Sequence, residues 1–369
     1  MISLRPLRIV HSEAATSFGG QEQRIYKEML AMRARGHHLE AICQPEALLA
    51  GHLRDAGFTV HTLPMDGVPA FLHGMLKIRQ VLVRADIDVL NTHSRRDTLL
   101  AGLGARLART PLIVRTRHLS RPPGSLLSYT RIPHRVTTVS EHVRQNLIRR
   151  GVPAGHVHTV YSPIVLPPRV TDSGLRSELG LGADDIVVGC VAVMRAAKGH
   201  ADLVEALAPL MHEDARLHAV FVGGGSPVFE AVRDDIAARG LQGRIHLLGQ
   251  RNDVPQLLAG MDIFALATHH EASGTVFVEA AAAGLPVIGT RVGGVAEMME
   301  EGVTGLLVPA HDPDAMREAL RRLIADPQQR VQMGQAGLRA VRDSARFEPA
   351  TLARETEACY RRWLAERSL

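Results

Sequence analysis

Segments of strand length alternate with segments of helical periodicity along most of the chain, and this alternation limits the folds open to it. The pattern runs from residue 7 to residue 150, breaks, and starts again at residue 186. Strands separated by helices pair in parallel, and the helices then cover both faces of the sheet. We therefore predict an α/β protein with Rossmann-like, doubly wound parallel sheets.

Individual elements follow from apolar runs and from capping and turn residues. Strands are expected at 7–11, 39–43, 59–63, 88–92, 112–116, 135–139, 186–193, 217–222, 245–248, 263–267 and 286–290. Helices are expected at 21–35, 48–55, 72–84, 99–108, 141–150, 201–211, 228–239, 313–325 and 351–363, with a short Ala-rich helix opening near Thr275. Segment 12–20 is predicted to be a loop.

The break between the two stretches is the segment YSPIVLPPRV at 161–170, which holds three prolines. A chain of 369 residues exceeds what one hydrophobic core normally supports, so two domains are expected. We place the first domain at 1–163 and the second at 164–345. The remaining segment, 346–369, is expected to contain a helix that returns to the first domain.

Charge is divided unequally between the halves. Residues 1–165 hold 22 Lys and Arg against 11 Asp and Glu, whereas residues 166–369 hold 21 against 27. This basic half indicates an anionic partner such as a membrane surface, unless it reflects only a preference for arginine in the composition. The sequence shows no bilayer-spanning apolar run, no signal-peptide pattern and three widely spaced cysteines, so a cytoplasmic protein is expected.

The segment 269–309 carries the strongest functional pattern. Glu271 and Glu279 flank the start of the helix near Gly274 and Thr275. Carboxylates accept hydrogen bonds from sugar and ribose hydroxyls, and the free amides of a helix start can hold a phosphate. The alternative is that both glutamates are ordinary charges of a helix surface. The small residues 280–284 favour the first interpretation, because they predict a buried helix in which a carboxylate needs a donor.

Phosphate-binding candidates follow the strand at 186–193. Arg195 and Lys198 would lie at its carboxyl end, where cations suit a diphosphate, although solvated loop charges are the alternative. Gly19 and Gly20 come between the first strand and the first helix and allow a ligand close to the backbone, unless they form a plain turn. Gly223 has a similar but weaker position.

Two histidines end predicted strands, His93 and His118, and either could hydrogen-bond a sugar hydroxyl. Among 19 histidines most must be incidental, and His118 is the stronger candidate. The pair His269 and His270 next to Glu271 could suggest a metal site. Adjacent residues rarely converge on one ion and the sequence offers no third ligand, so no metal site is predicted.

Together these motifs resemble the retaining, sugar-nucleotide-dependent glycosyltransferases of family 4 (glycosyl transferases group 1), which have the GT-B fold. The likeness is strongest over 188–309, with KGH at 198–200, VGGGS at 222–226, LLGQRNDVP at 247–255 and the segment holding both glutamates. Weaker similarities are GGQE at 19–22 and VTTVSEHVRQNLIRRGVP at 136–153. The resemblance implies two Rossmann-like domains facing across a cleft, the first binding the acceptor and the second the nucleotide sugar.

The resemblance also implies a role for each candidate residue. Glu279 would bind the nucleotide ribose, Glu271 the donor sugar, and His118 the sugar near its reacting carbon. Lys198 and Arg195 would neutralise the diphosphate. The remaining donor-binding residues would be Gly19, Gly20, Gly223, Arg251, Asn252, Gly274, Thr275 and Val276, with 251 and 252 bordering the base.

Three positions depart from the family pattern. The Arg that members usually carry five residues before the lysine is Val193 here, which leaves Arg195 as its candidate substitute. Ser162 and Pro163 stand where many members have Asn-Gly. Ala272 and Ser273 precede Gly274, where Gly-Phe is commoner, so the contacts to the donor sugar are expected to differ.

The expected function is transfer of a sugar, with retention of configuration, from a nucleotide diphosphate to a hydroxyl of a saccharide or lipid-linked acceptor in lipopolysaccharide or other envelope glycan synthesis. No cofactor, metal or nucleic-acid partner is expected. The expected location is cytoplasmic, with an anionic membrane at the inner face of the plasma membrane as a candidate partner. Two alternatives remain open: a nucleotide-sugar epimerase of the same fold, and a non-catalytic protein that binds nucleotide sugars or anionic polymers.

Overall fold

The computed structural model describes residues 5–65, 68–166, 170 and 173–368. It divides into two compact units, one of Met1–Pro163 with Arg346–Leu369 and one of Ile164–Ala345. Two prolines of the predicted linker, Pro167 and Pro168, lie outside the described residues.

The first unit is built on a seven-stranded parallel sheet. Its strands are β1 Arg8–Glu13, β2 His38–Cys43, β3 Thr59–Thr62, β4 Val89–Thr92, β5 Leu112–Arg117, β6 Arg135–Thr138 and β7 Val157–Thr159. Their spatial order is β3-β2-β1-β4-β5-β6-β7, and every pairing is parallel. The order reverses direction between β1 and β4, and it is at such switch points that ligands bind beyond the carboxyl ends of parallel strands.

Helices cover both faces of this sheet. They are α1 Gly20–Ala34, α2 Leu48–Asp55, α3 Val68–Arg84, α4 Arg95–Ala108, α5 Leu127–Thr130 and α6 Glu141–Arg149. Successive strand residues enter different cores: Ile9 packs with α1 and α2, whereas Val10 packs with α3 and α4. Because strand side chains alternate between faces, a strand buried on both sides is apolar throughout, which is why these runs are continuous.

The last helix of the chain belongs to the first unit. We label it α14, Pro349–Ser368, because seven helices of the second unit precede it. It packs against α1, and it buries Leu352, Tyr360 and Trp363 in the core on that face. The Nδ2 of Asn91 donates a hydrogen bond to the hydroxyl of Tyr360 over 3.0 Å, so the helix is tied to β4 as well.

The second unit repeats the plan with six strands. These are β8 Ile186–Val191, β9 Leu217–Val222, β10 Ile245–Gly249, β11 Ile263–Leu266, β12 Val287–Thr290 and β13 Gly305–Val308, in the order β10-β9-β8-β11-β12-β13. Its helices are α7 Leu175–Leu179, α8 His200–Glu213, α9 Val228–Ala238, α10 Val254–Ala259, α11 Thr275–Ala282, α12 Pro313–Ala325 and α13 Pro327–Asp343. This sheet is parallel too, and its order reverses between β8 and β11.

The fold-class prediction is confirmed: both units are doubly wound parallel sheets. Several elements were not predicted from the sequence: β7, β13, α5, α7, α10 and α13. Some bounds were also wrong. Strand β1 continues to Glu13, inside the predicted loop, and β8 ends two residues early. Helix α4 starts at Arg95 rather than 99, because Ser94 and Asp97 form a capping box. Among the described residues, no helix combines the length and the apolar character needed to cross a membrane.

We expect Leu352→Ala to lower the free energy of unfolding by about 2–5 kcal/mol, because Leu352 is buried in the α14 core and its loss leaves a cavity. Leu48→Ala is the matched control: Leu48 is 59% exposed in the same unit, so a change within about 0.5 kcal/mol is expected. Urea unfolding followed by the fluorescence of Trp363, the single tryptophan, measures both. Equal effects would mean that α14 does not stabilise the unit.

Candidate functional site

In the second unit, an ion pair joins the two loops at the point where the strand order reverses. Lys198 ends a single 3₁₀ turn, Ala196–Lys198, that follows β8, and Glu271 lies in the loop after β11. Their Nζ and Oε2 atoms are 2.6 Å apart, and the two side chains are 25% and 14% exposed. Each charge is thus partly desolvated and compensated by the other, which orients both side chains at the carboxyl edge of the sheet.

One carbonyl oxygen holds these two loops together. The oxygen of Ala197 accepts a hydrogen bond from the backbone N–H of His269 at 2.8 Å and another from the hydroxyl of Thr268 at 3.0 Å. Thr268 is fully buried. These hydrogen bonds therefore fix the backbone next to Lys198 to the backbone that leads to Glu271, and they hold the two charged residues close together.

Two glycines allow the loops around Glu271 to pack this closely. A Cβ at Gly199 would lie 1.9 Å from the oxygen of Ala267, and a Cβ at Gly293 would lie 1.5 Å from the oxygen of Glu271. Both glycines have positive φ, 64° and 56°. The loop after β12 is also bonded to Glu271, whose carbonyl accepts from the N–H of Gly294 at 3.2 Å. Three loops thus meet around the backbone of Glu271.

Helix α11 begins directly after this junction, with Gly274 as its left-handed N-cap. The first amides of a helix have no partner within it, so the N–H groups of Thr275 and Val276 are available to an anion. Glu279 lies in the same helix and is half-buried. The expectation that residues 280–284 form a buried helix was wrong in part, because α11 buries only one face and leaves Ala283 exposed.

The other donor-binding candidates have more ordinary surroundings. Arg195 is exposed, as is Val193, and the guanidinium of Arg195 has no hydrogen-bond or ion-pair partner among the described residues. Arg251 pairs with Asp253 at 2.6 Å and Glu178 at 2.7 Å, and the hydrogen bonds that its guanidinium donates to these carboxylates raise its pKa. Asn252 is exposed and lies in the loop after β10. Gly223 lies in the loop after β9, and its N–H donates to the oxygen of Gly249.

The structure brings two further metal-ligating side chains, Asp202 and His311, next to His269, and the sequence did not reveal either of them. Asp202 accepts a hydrogen bond from Nε2 of His269 at 2.8 Å, and the ring of His311 lies 3.8 Å from that of His269. Ligand atoms of all three lie within 4.8 Å of one another. The two rings are tilted by 35° to one another, and a group of two histidines and one carboxylate of this size could hold a metal ion.

In the first unit, His118 is the outermost of three hydrogen-bonded histidines at the switch between β1 and β4. Its Nε2 lies 2.9 Å from Nδ1 of His93, whose Nε2 lies 3.0 Å from Nδ1 of His11. Burial lowers the pKa of all three imidazoles. Both histidines that the sequence singled out are therefore in contact, and the third, His11, was missed because it lies inside the apolar run of β1.

Gly19 and Gly20 form the amino end of α1, close to the same sheet edge. The N–H of Gly19 donates to Oε2 of Glu22 at 2.7 Å. A Cβ at Gly20 would meet no protein atom within 4 Å, and Gly19 has an extended φ of −117°. The protein itself therefore does not require glycine at 20, which leaves close approach of a ligand as a reason for it.

Two buried carboxyl groups stand beside these glycines and histidines. Desolvation raises the pKa of Glu13 to about 8 and that of Asp97 to about 6. Asp97 accepts hydrogen bonds from the N–H groups of His93 and Ser94, each at 2.7 Å. The edge of the first sheet is therefore a buried polar cluster whose members hold the strand ends in place.

Comparison with known families decides the affiliation of the chain. Residues 173–340 match the family model "Glycosyl transferases group 1", and residues 18–166 match "Glycosyltransferase Family 4". The chain belongs to this glycosyltransferase family. The resemblance inferred from the motifs is confirmed, since each model matches one of the two described units.

Curated relatives and a solved structure agree with this. The chain is 33% identical to a D-inositol 3-phosphate glycosyltransferase of Corynebacterium efficiens over 50% of its own length and 45% of the relative's. It is 31% identical to an N-acetyl-alpha-D-glucosaminyl L-malate synthase of Bacillus anthracis over 49% and 47%. The matched part thus spans less than half of either relative. The crystal structure of Anabaena Alr3699/HepE in complex with UDP-glucose has the same fold, with a TM-score of 0.84, 22% identity, and coverage of 96% of this chain and 99% of that one.

We expect Gly293→Ala to destabilise the second unit by about 3–5 kcal/mol, because the new methyl group meets the Glu271 carbonyl in addition to the strain of a positive φ. Gly284→Ala is the matched control. Gly284 also has a positive φ, 87°, but open space around its Cβ position, so a loss of about 1–2 kcal/mol is expected. Urea unfolding monitored by circular dichroism separates them, and equal losses would disprove the close junction of loops.

Proposed function

We propose that this protein transfers a sugar from a nucleoside diphosphate to a hydroxyl group, with retention of configuration and without a metal. One observation carries the proposal: Lys198 and Glu271 are paired at 2.6 Å at the switch point of the second sheet, immediately before the amino end of α11. This edge combines a cation, free helix amides and a carboxylate. A sugar nucleotide offers the matching anionic diphosphate and hydroxyl groups.

In this proposal the second unit holds the donor. The amides of Thr275 and Val276 bind the diphosphate, Lys198 neutralises it, and Glu271 accepts hydrogen bonds from the sugar hydroxyls. The half-buried Glu279 accepts from the ribose. Arg195 supplies a second cation, supported by its unpaired guanidinium at the end of β8. Gly223, Arg251 and Asn252 border the base and ribose from neighbouring loops.

The chemical step exchanges one bond to the anomeric carbon for another on the same face. The bond from that carbon to the diphosphate oxygen breaks, and a bond to the acceptor oxygen forms. The departing diphosphate takes the acceptor proton, so no separate carboxylic base is needed. Lys198 and the amides of α11 stabilise the charge that develops on the leaving group, and this lowers the barrier.

We also propose that the acceptor is a saccharide, lipid-linked or of lipopolysaccharide type, reached at the anionic inner face of the plasma membrane. Helix α3 supports this. Leu72, Leu76 and Val83 are 63%, 58% and 51% exposed, and spacings of four and seven residues place them on one side of the helix. The exposed cations Lys77, Arg79 and Arg84 flank them, a composition typical of helices that lie at a membrane surface.

We expect Lys198→Ala to lower kcat/KM about 30- to 1,000-fold, equivalent to about 2–4 kcal/mol, because the leaving diphosphate loses its cation. The donor is first identified by thermal shift with nucleotide sugars, where a ligand at 100 Kd adds about 2.7 kcal/mol of stability. Lys77→Ala, an exposed lysine of α3, is the control and should leave turnover of a soluble acceptor unchanged.

Unchanged kcat/KM in the Lys198 variant contradicts the proposed role. Donor turnover that does not depend on an acceptor identifies an epimerase instead. Tight donor binding without turnover across acceptors identifies a binding protein.

We expect the double change Leu72→Ser with Leu76→Ser to reduce binding to vesicles containing anionic lipid at least 10-fold, because two apolar side chains no longer enter the interface. Leu48→Ser alters an equally exposed leucine of α2 and should bind as the unmodified protein does. Vesicle flotation at low and physiological salt measures both. Equal binding to neutral vesicles contradicts the anionic membrane as partner. No binding to either kind of vesicle rules out a membrane surface and favours a small soluble acceptor.

A further inference from the structure

Three imidazoles form a continuous hydrogen-bonded row across neighbouring strands of the first sheet. His11 lies in β1, His93 directly follows β4 and His118 directly follows β5, and these strands are adjacent in the sheet. The ring centroids are 5.2 Å apart at both steps, and the contacting nitrogens are 3.0 and 2.9 Å apart. The rings are 1%, 3% and 9% exposed, so the row runs from the core to a slightly accessible end at His118.

This environment favours the neutral form of all three rings. Burial makes the charged imidazolium costly, and the cation of Arg24 lowers the pKa of each ring further. A neutral imidazole carries one N–H and one lone pair. The row contains two contacts of the same kind, Nδ1 of one ring against Nε2 of the next, so each contact needs a proton on one side only.

This leaves two arrangements of the protons. In one, every ring is protonated at Nδ1, and each inner ring donates to the next one outward. In the other, every ring is protonated at Nε2, and each outer ring donates inward to its neighbour. A mixed arrangement places two protons or two lone pairs against each other at 2.9–3.0 Å, which costs at least one buried hydrogen bond.

We infer that His11 and His93 are positioning residues that fix the tautomer and the orientation of His118. The outer Nδ1 of His118 then presents one defined hydrogen-bonding character, that of a donor, because the arrangement with every proton at Nε2 would leave a buried N–H of His11 without an acceptor. His11 is the closed end of the row, because its Nε2 is buried and has no hydrogen-bond partner among the residues that the structure describes. The hydrogen bonds from His11 through His93 restrict the ring rotation and tautomer exchange of His118. Hydrogen-bond partners of metal-bound or catalytic histidines have the same effect.

The consequence for activity rests on the proposed function, whereas the shared tautomer does not. A neutral ring with one fixed tautomer suits recognition of a hydroxyl group, since it adds no charge. No entropy is lost in selecting one tautomer when the hydroxyl binds. Burial lowers the pKa of His118, and the cations of Arg117 and Arg115 lower it further, which favours the neutral ring.

Long-range ¹H–¹⁵N correlation spectra of the full chain with labelled histidine test the inference without any substrate. In the unmodified protein we expect His11, His93 and His118 each to show one protonated and one unprotonated ring nitrogen, with the proton at the same ring position in all three. Different positions, averaged signals or a doubly protonated ring at neutral pH would overturn it. This arm needs no variant and does not depend on glycosyl transfer.

The second arm is His11→Phe, which keeps an aromatic ring and removes both nitrogens. We expect the His118 signals to become averaged between tautomers, and kcat/KM to fall about 10-fold, with donor binding unchanged. His246→Phe is the matched control, because it removes the His246–His218 contact of the second unit, 3.5 Å long, and should alter neither readout. A His118 that keeps its single tautomer in a folded His11→Phe variant shows that the row does not set it, and the inference fails. If the proposed function were wrong and the inference right, the spectra would still show the shared tautomer, and only the activity measurement would fail.

Discussion

The ion pair between Lys198 and Glu271 is the contact on which the candidate donor site depends. Its two partners lie in the loops after two strands that are neighbours in the sheet, and they are 73 residues apart in sequence. A half-buried carboxylate or ammonium is stable only with a partner, so each charge holds the other in place. The same contact explains the close packing around it, because the loops after β8, β11 and β12 must approach through Gly199 and Gly293 for the pair to form.

The sheet edge of the first unit differs, since it buries hydrogen-bonded polar groups, whereas that of the second unit holds a partly buried ion pair. His11, His93 and Asp97 are almost fully buried, and each is held by hydrogen bonds to a neighbouring ring or backbone amide. Burial raises the pKa of Asp97 and lowers the pKa values of both histidines, so all of these groups tend toward their neutral forms. Neutral imidazoles in fixed positions suit recognition of uncharged hydroxyls, whereas the edge of the second unit suits an anion.

Much of the fold was accessible from the sequence because buried parallel strands are continuous apolar runs. The elements that were missed lack that signal. Strand β13 has four residues and begins at Gly305, and helix α13 contains Gly334 and Gly337, which lower helical propensity. The structure gives the reason for these glycines: a Cβ at 334 would lie 2.0 Å from the oxygen of Gly284, so α13 packs tightly against the end of α11. Close packing therefore favours small residues in a segment for which the sequence predicted no element.

By itself the sequence determined the α/β class, the two sheets, the family and the identity of the candidate residues, because these depend on local patterns of apolar side chains, glycines and charges. Only the tertiary structure decided which residues act together. Lys198 meets Glu271 and His11 joins His93 and His118 because strand order, not sequence order, sets the neighbours at a sheet edge. The position of a β-strand in a sheet is a long-range property, and no local pattern encodes it.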